Sequence, residues 1–109
     1  MIDTVIIHHD NGGVIVDYLK RFNDYNAHGV KVVIDGNCMS ACTLVTRVSQ
    51  ACATENGVLG FHKPNVSNSV MGGFFYALYP AKVRAAIEKR GGLTNKLMLF
   101  PATEFLKKC

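Results

Sequence analysis

The sequence lacks any apolar run long enough to cross a membrane. Its longest candidate apolar segments, residues 70–78 and 30–34, are far shorter than the roughly 18 residues that a membrane-spanning helix requires. Internal repeats and low-complexity tracts are also absent, while 49% of the residues are apolar and glycine and proline recur at turn-like intervals. This composition favours a folded chain over a disordered one and, at 109 residues, predicts a single domain, 1–109.

A secretory signal is missing from the sequence as written. The first residues, Met1-Ile2-Asp3-Thr4, do not supply the basic stretch that precedes the apolar core of such a signal. We therefore expect a cytoplasmic protein as written, and a periplasmic one if an upstream segment has been removed.

Positive charge is in modest excess, but it is not concentrated together with aromatic residues. The chain has 12 Lys and Arg against 8 Asp and Glu. Its densest basic stretches, residues 82–90 and 107–108, have the pattern of solvated helix faces. This distribution argues against nucleic-acid binding, which needs a basic patch combined with a recognition element.

The spacing of a structural zinc site is also absent. There is no Cys-x-x-Cys motif, and the pair Cys38 and Cys42 has no second cluster with its own ligand spacing. His8 and His9 are neighbours, so on a strand they point to opposite faces, and we expect one buried and one exposed histidine with no shared metal. The sequence predicts no metal and no cofactor. The four cysteines, at positions 38, 42, 52 and 109, permit three fully paired connectivities and are named Cys38, Cys42, Cys52 and Cys109. Their even number would suit a secreted or periplasmic protein, and it suits a reducing cytosol equally well.

Short apolar strands alternate with amphipathic helices, which predicts an α/β domain built from repeated strand-helix units. Strands are predicted at residues 4–9, 30–34, 51–54 and 58–61, and helices at 14–27, 40–48, 70–79 and 80–90. A polar loop is predicted at 65–69, residues 93–100 are ambiguous, and 102–108 favours a short helix. The continuous β-branched run at 30–34 is typical of a strand buried on both faces of a parallel sheet.

The segment from residue 30 to 45 carries the first functional signal. Its apolar strand is followed by Gly36 and then by a helix that begins at Ser40. A hydroxyl at the start of a helix lies beside free backbone N–H groups, which can stabilise negative charge on an attacked carbonyl oxygen. Further along, the strand at 58–61 ends on His62, which could act as a base. Each residue also has an ordinary interpretation, because serine is a common N-cap and a histidine at a strand end is usually a satisfied polar group.

Three motifs in this order resemble the ClpP-like serine proteases of the ClpP/crotonase superfamily, in particular their small, often periplasmic bacterial relatives with a Cys-x-Ser-Ala-Cys run. The motifs are Gly12-Gly13-Val14, Gly36-x-x-x-Ser40-Ala41 and Gly60-Phe61-His62-Lys63-Pro64. The likeness covers residues 4–64 and, more loosely, residues 79–94. It implies a ClpP/crotonase-like fold with a mostly parallel sheet, shortened at the N-terminus, and serine peptidase activity.

The resemblance also implies roles for individual residues. Ser40 matches the nucleophile and His62 the general base, while the backbone N–H groups of Gly12, Gly13 and Ala41 match the oxyanion hole. The substrate would be a peptide or protein, no cofactor would be needed, and the chain would form a homo-oligomer, because a shortened sheet leaves an open edge. An ATPase partner is left open by the sequence.

The sequence departs from this family at the residue that orients the histidine. No aspartate follows Asp35, and the family's acid would fall near residues 95–97, where Asn95 stands; Glu104 is the other candidate. Three possibilities follow: a Ser-His dyad oriented by an asparagine or the backbone, a triad using Glu104, or a fold without activity. The rival interpretations are therefore a catalytically weak or inactive binding or assembly module and, less favoured, a crotonase-type acyl-CoA enzyme, which does not need the pair Ser40 and His62.

Overall fold

The computed structural model describes residues 4–64 and 69–109, which contain six strands, three α-helices and two 3₁₀ helices. The strands are β1 Thr4–Asp10, β2 Lys31–Met39, β3 Ala51–Ala53, β4 Val58–Phe61, β5 Met98–Pro101 and β6 Lys107–Lys108. The α-helices are α1 Ile15–Ala27, α2 Ser69–Tyr76 and α3 Ala81–Lys89, and two 3₁₀ helices span Ser40–Arg47 and Ala102–Glu104. None of the helices in the described ranges is both long and apolar enough to cross a membrane.

Strand β2 is the centre of a six-stranded sheet. Along one side it pairs in parallel with β1, from the register Thr4↔Lys31 onward. Its other side is divided, because the first half pairs in parallel with β3 and the last three residues pair in parallel with β4. Strand β6 pairs in parallel with β3, whereas β5 is antiparallel to β4, so the sheet is mixed. The predicted α/β class is confirmed.

Strand β2 is longer than the sequence predicted, because Gly36 continues it instead of ending it. The pairing with β1 shifts register between Ile7 and His9, and a Cβ atom added to Gly36 would lie 1.7 Å from the carbonyl oxygen of His8. Only glycine permits this close approach of two backbones. The strand therefore runs on to Met39, and the chain turns at Ser40 and not at the glycine.

The core lies between the sheet and the helices. Helix α1 buries Tyr18 and Phe22, and helix α3 buries Val83 and Ile87, at the helical spacing that the sequence shows. Each fully buried side chain of this kind contributes about 1.5–3 kcal/mol relative to an exposed one. The buried aliphatic and aromatic residues that complete the cluster include Val32, Ile34, Leu44, Val45, Leu59, Phe61, Phe100 and Phe105.

The helix predicted at 40–48 is present as a 3₁₀ helix, Ser40–Arg47. Two other predictions about helices were wrong. Residues 102–108 do not form one helix, because a single 3₁₀ turn at Ala102–Glu104 is followed by β6, which pairs with β3. Helix α2 ends at Tyr76 instead of continuing to residue 79.

Other regions differ from the prediction or lie outside the described residues. The ambiguous stretch 93–100 contains most of β5, which forms because it pairs with β4. His8 and His9 are both exposed, so the expectation of one buried histidine was wrong; β1 pairs with β2 alone within the described part of the sheet and is open to solvent there. Of the predicted loop 65–69, residues 65–68 lie outside the described residues, and Ser69 begins α2.

Two disulfides select one of the three possible connectivities. Cys38 is joined to Cys42, and Cys52 is joined to Cys109. The first bond closes a short segment after β2, whereas the second ties the last residue to β3, where the Cys109 N–H also donates to the carbonyl oxygen of Ala53 at 3.1 Å. No cysteine in the described ranges is free.

Candidate active site

Ser40 lies at the turn between β2 and the first 3₁₀ helix in an unusual backbone conformation. Its φ is 56°, and it is the one non-glycine residue with positive φ in the described part of the chain. The N-cap position belongs to Met39, and the Ser40 hydroxyl makes no hydrogen bond to any described residue. The N-cap interpretation of Ser40 is therefore not supported, and its hydroxyl is available for chemistry.

Ser40 and His62 line the same cavity, which we call the Ser40 cavity. It is a small cavity of about 20 Å³ that is open to solvent, and its other lining residues are apolar or aromatic: Ile15, Ala41, Leu44, Pro64, Phe75 and Tyr79. Ser40 and His62 line one cavity because β4 pairs in parallel with the end of β2, so that the residue after each strand lies at the same edge of the sheet. No hydrogen bond joins the Ser40 hydroxyl to the His62 ring within the described residues.

The His62 ring is oriented by a backbone carbonyl. Its Nδ1 lies 2.6 Å from the carbonyl oxygen of Lys63, and since a carbonyl can only accept, Nδ1–H is the donor. In the neutral ring this leaves Nε2 with the lone pair, which is the tautomer that a general base needs. The Lys63 N–H in turn donates to the carbonyl oxygen of Thr94 at 2.8 Å, which anchors the segment that carries the ring.

The two residues suggested as orienting groups make no hydrogen bond to His62. Asn95 is exposed next to Thr94, close in sequence to the segment that holds Lys63. Glu104 is exposed in the second 3₁₀ helix. Among the described residues the hydrogen-bond partner of the His62 ring is the Lys63 carbonyl, and neither Asn95 nor Glu104 orients the ring.

The glycine loop after β1 packs directly against Ser40. A Cβ added to Gly12 would lie 2.7 Å from Cβ of Ser40 and 3.0 Å from the Ala41 nitrogen, and Gly12 has φ 88°. The Gly12 N–H is already bound, because it donates to Oδ1 of Asp10 at 2.8 Å. The Gly13 N–H makes no hydrogen bond to a described residue, and the Ala41 N–H lies in the first turn of a helix, where no intrahelical acceptor exists. Two of the three predicted oxyanion donors are thus free.

Asp10 contacts the glycine loop beside Ser40, and the sequence reasoning did not select it. Its Oδ1 accepts the Gly12 N–H and also the Tyr18 hydroxyl, at 2.6 Å. Burial, together with the hydrogen bond and the negative charge of Asp10, raises the pKa of Tyr18. An aspartate two residues before a glycine at a strand end is typical of an Asx-turn, and this signal could have identified the residue.

Thr43 and Tyr79 form a second contact that was missed. The Thr43 hydroxyl donates to the carbonyl oxygen of Ser40, so the Tyr79 hydroxyl must be the donor in its own bond to Thr43 Oγ1. Burial raises the pKa of Tyr79, which keeps this donor protonated, while the bond to Thr43 acts in the opposite direction. A threonine three residues after the turn has the spacing for such a backbone bond, but the sequence carries no signal for Tyr79.

Neither a protein-family model nor a curated protein sequence matches the chain. Within residues 4–64 and 69–109, no group of three or more His, Cys, Asp or Glu side chains is arranged to hold a metal ion.

Proposed function

We propose that the protein is a ClpP-like serine peptidase with a ClpP/crotonase-like fold, which hydrolyses peptide bonds through an acyl-enzyme on Ser40. The observation that carries the proposal is that Ser40 and His62, selected from the sequence for their chemistry, line one cavity. The contact of Gly12 with Ser40 and Ala41 supports it further, because it brings the glycine loop beside the nucleophile.

The proposed reaction uses the free atoms of the site. Ser40 Oγ attacks the carbonyl carbon of the substrate while His62 Nε2 takes the hydroxyl proton, and the N–H groups of Gly13 and Ala41 stabilise the oxyanion. As the C–N bond breaks, His62 returns the proton to the leaving amine. Water then attacks the Ser40 ester while His62 takes its proton, and as the ester C–O bond breaks, His62 returns that proton to Ser40 Oγ and the carboxylic acid is released. No cofactor takes part in these steps.

The Lys63 carbonyl takes the place of the usual carboxylate in this proposal. A neutral carbonyl fixes the tautomer of His62, but it stabilises the imidazolium less than a carboxylate does. Loss of a correctly placed carboxylate lowers turnover by about 10⁴ in the best-studied triad. We therefore expect slow hydrolysis, and formation of the covalent intermediate is the more sensitive measurement.

A fluorophosphonate probe tests the proposal directly. We expect the folded protein to gain the mass of one phosphonyl group, located on Ser40 by peptide mapping, and Ser40→Ala to abolish the gain. Ser49→Ala is the matched control, because Ser49 is exposed and its side chain bonds to Asn26 away from the cavity. A folded protein that is not labelled, or labelling that persists in Ser40→Ala, would contradict peptidase activity.

A binding or assembly module is the second candidate, and two observations favour it. The Ser40 hydroxyl makes no hydrogen bond to His62, and α2 presents apolar side chains to solvent, with Val70 80% and Phe74 57% exposed. In either case we propose a homo-oligomer that contacts through α2. Sedimentation velocity should show a species larger than one chain that dissociates in Phe74→Glu, and a strictly monomeric wild type would contradict this assembly.

The disulfides support one of the two compartments considered from the sequence. Disulfides persist mainly in oxidising compartments, and both pairs of cysteines are bonded. We therefore favour the periplasmic alternative over the cytoplasm, with a peptide or protein of that compartment as the substrate.

A further inference from the structure

The backbone of Ser40 needs support from its surroundings. Residues other than glycine avoid positive φ because Cβ then crowds the backbone, and such conformations persist where neighbouring contacts over-determine them. Ser40 has a φ of 56°, and two groups of contacts around the turn hold it in this conformation. The groups that hold it are not part of the proposed reaction.

A disulfide brackets Ser40 symmetrically. Cys38 lies two residues before it and Cys42 two residues after it, and the bond between them closes the segment that contains the turn. Cys38 is fixed in β2, where it is paired with Asp10 of β1 and Leu59 of β4. Both cysteines are fully buried, so the crosslink joins the end of a central strand to the helix that follows it.

The hydroxyl chain from Tyr79 holds the same turn from the other side. Thr43 is fully buried, and its hydroxyl donates to the Ser40 carbonyl oxygen, which restricts rotation of the Ser40 peptide. Tyr79, from the segment between α2 and α3, donates to Thr43 and also lines the Ser40 cavity. The Ser40 turn is therefore connected to β2, to the 3₁₀ helix that follows it and to Tyr79 in the lining of the Ser40 cavity.

We propose that the Cys38–Cys42 disulfide and the Thr43 hydroxyl are positioning groups that hold Ser40 in the conformation for attack, and that the active chain is the one in which this disulfide is formed. The proposal rests on the proposed function. It assigns a role to Cys38, Cys42 and Thr43 that does not involve contact with substrate.

Two double variants separate positioning from general stabilisation. Cys38→Ala/Cys42→Ala removes the crosslink around Ser40, whereas Cys52→Ala/Cys109→Ala removes one whose cysteines do not line the cavity. The second pair spans 57 positions and the first only 4, so chain entropy predicts the larger loss of thermal stability for Cys52→Ala/Cys109→Ala. Positioning predicts the opposite order for the fluorophosphonate labelling rate of the folded fraction: on the order of 10²-fold slower without Cys38–Cys42, and unchanged without Cys52–Cys109.

The outcomes distinguish the two proposals. Labelling at the wild-type rate in folded Cys38→Ala/Cys42→Ala would overturn the role of the disulfide and leave the peptidase proposal intact. An unlabelled wild type would contradict the peptidase and this inference together.

A second pair of variants tests the hydroxyl if the disulfide variant does not fold. Thr43→Val removes the donor to Ser40 with little change in shape, and Thr43→Ser keeps it. We expect slow labelling in Thr43→Val and most of the rate restored in Thr43→Ser. Equal rates in two folded variants of equal thermal stability would overturn the role of Thr43.

Discussion

Strand β2 supports two polar clusters that contain similar residues and differ in what they leave free. In the Asp35 cluster, the Asp35 carboxylate accepts hydrogen bonds from Thr54, Asn56 and His8, the last at 3.1 Å. In the Ser40 cavity, by contrast, the Ser40 hydroxyl and Nε2 of His62 have no bonded partner among the described residues. His8, which is paired with a carboxylate, thus lies in an exposed cluster whose polar groups are hydrogen-bonded. His62, whose partner is a backbone carbonyl, lines the cavity. Unoccupied donors and acceptors beside an apolar space, and not a His-Asp pair as such, distinguish the candidate site.

Each cluster also has a glycine at which a side chain would collide with backbone. Gly36 lies against the His8 carbonyl oxygen, and Gly12 lies against Ser40 and the Met39 carbonyl oxygen. The first maintains the pairing of β1 with β2, whereas the second brings the glycine loop to Ser40. The same steric requirement therefore serves architecture in one region and, in our proposal, chemistry in the other.

The largest expected effect comes from replacing the histidine of each cluster by glutamine in turn. His62→Gln removes the proposed base, and we expect fluorophosphonate labelling of Ser40 to fall by about 10²–10⁴-fold, the usual contribution of general-base catalysis. His8→Gln is the matched control, because His8 is exposed and paired with Asp35 outside the cavity. Equal labelling rates in the two variants would show that His62 is not the base. The Ser40 cavity would then not differ from the Asp35 cluster in function.

A smaller effect is expected from the architectural glycine. Gly36→Ala would place Cβ 1.7 Å from the His8 carbonyl oxygen, so β1 must shift, and we expect the free energy of unfolding to fall by about 3 kcal/mol. Gly73→Ala in α2 meets nothing within 4 Å and should stabilise by about 0.5–1 kcal/mol. Urea unfolding of both variants measures the difference. If Gly36→Ala is as stable as the wild type, the close approach of β1 and β2 does not exist in solution.

The parts of the fold predicted from the sequence are those whose pattern is local. Short apolar runs bounded by turn residues identified β1, β3 and β4, and helical spacing identified α1 and α3, because each of these patterns lies within a single element. Strands β5 and β6 are short and depend on partners distant in sequence. The 3₁₀ geometry after Ser40 was also missed, since the disulfide and the Thr43 bond that accompany it are tertiary contacts.

The candidate site divides in the same way. Ser40, His62 and Gly12 could be selected because their side chains, or the absence of one, carry the chemistry. The Lys63 carbonyl could not, because every residue has a carbonyl and only the fold decides which one meets a histidine ring. The hydrogen bond of the Gly12 N–H could not be predicted for a related reason. The N–H donates to the Asp10 carboxylate within a turn whose geometry the sequence indicates only in outline.

The smallest expected effect is the pH dependence of the Asp35 cluster. Hydrogen bonds from Thr54 and Asn56, together with His8, hold the pKa of Asp35 below its ordinary value of 3.8. A carboxylate with a lowered pKa in the folded state stabilises the fold above its unfolded pKa, and this contribution is lost as the pH falls through the folded value. The free energy of unfolding of the wild type should therefore exceed that of Asp35→Asn near neutral pH, and the difference should shrink below about pH 4. Fluorophosphonate labelling at pH 7 should be the same in both proteins, because Asp35 does not line the Ser40 cavity. A stability difference that stays constant from neutral pH into this acidic range would contradict a charged Asp35 at the cluster.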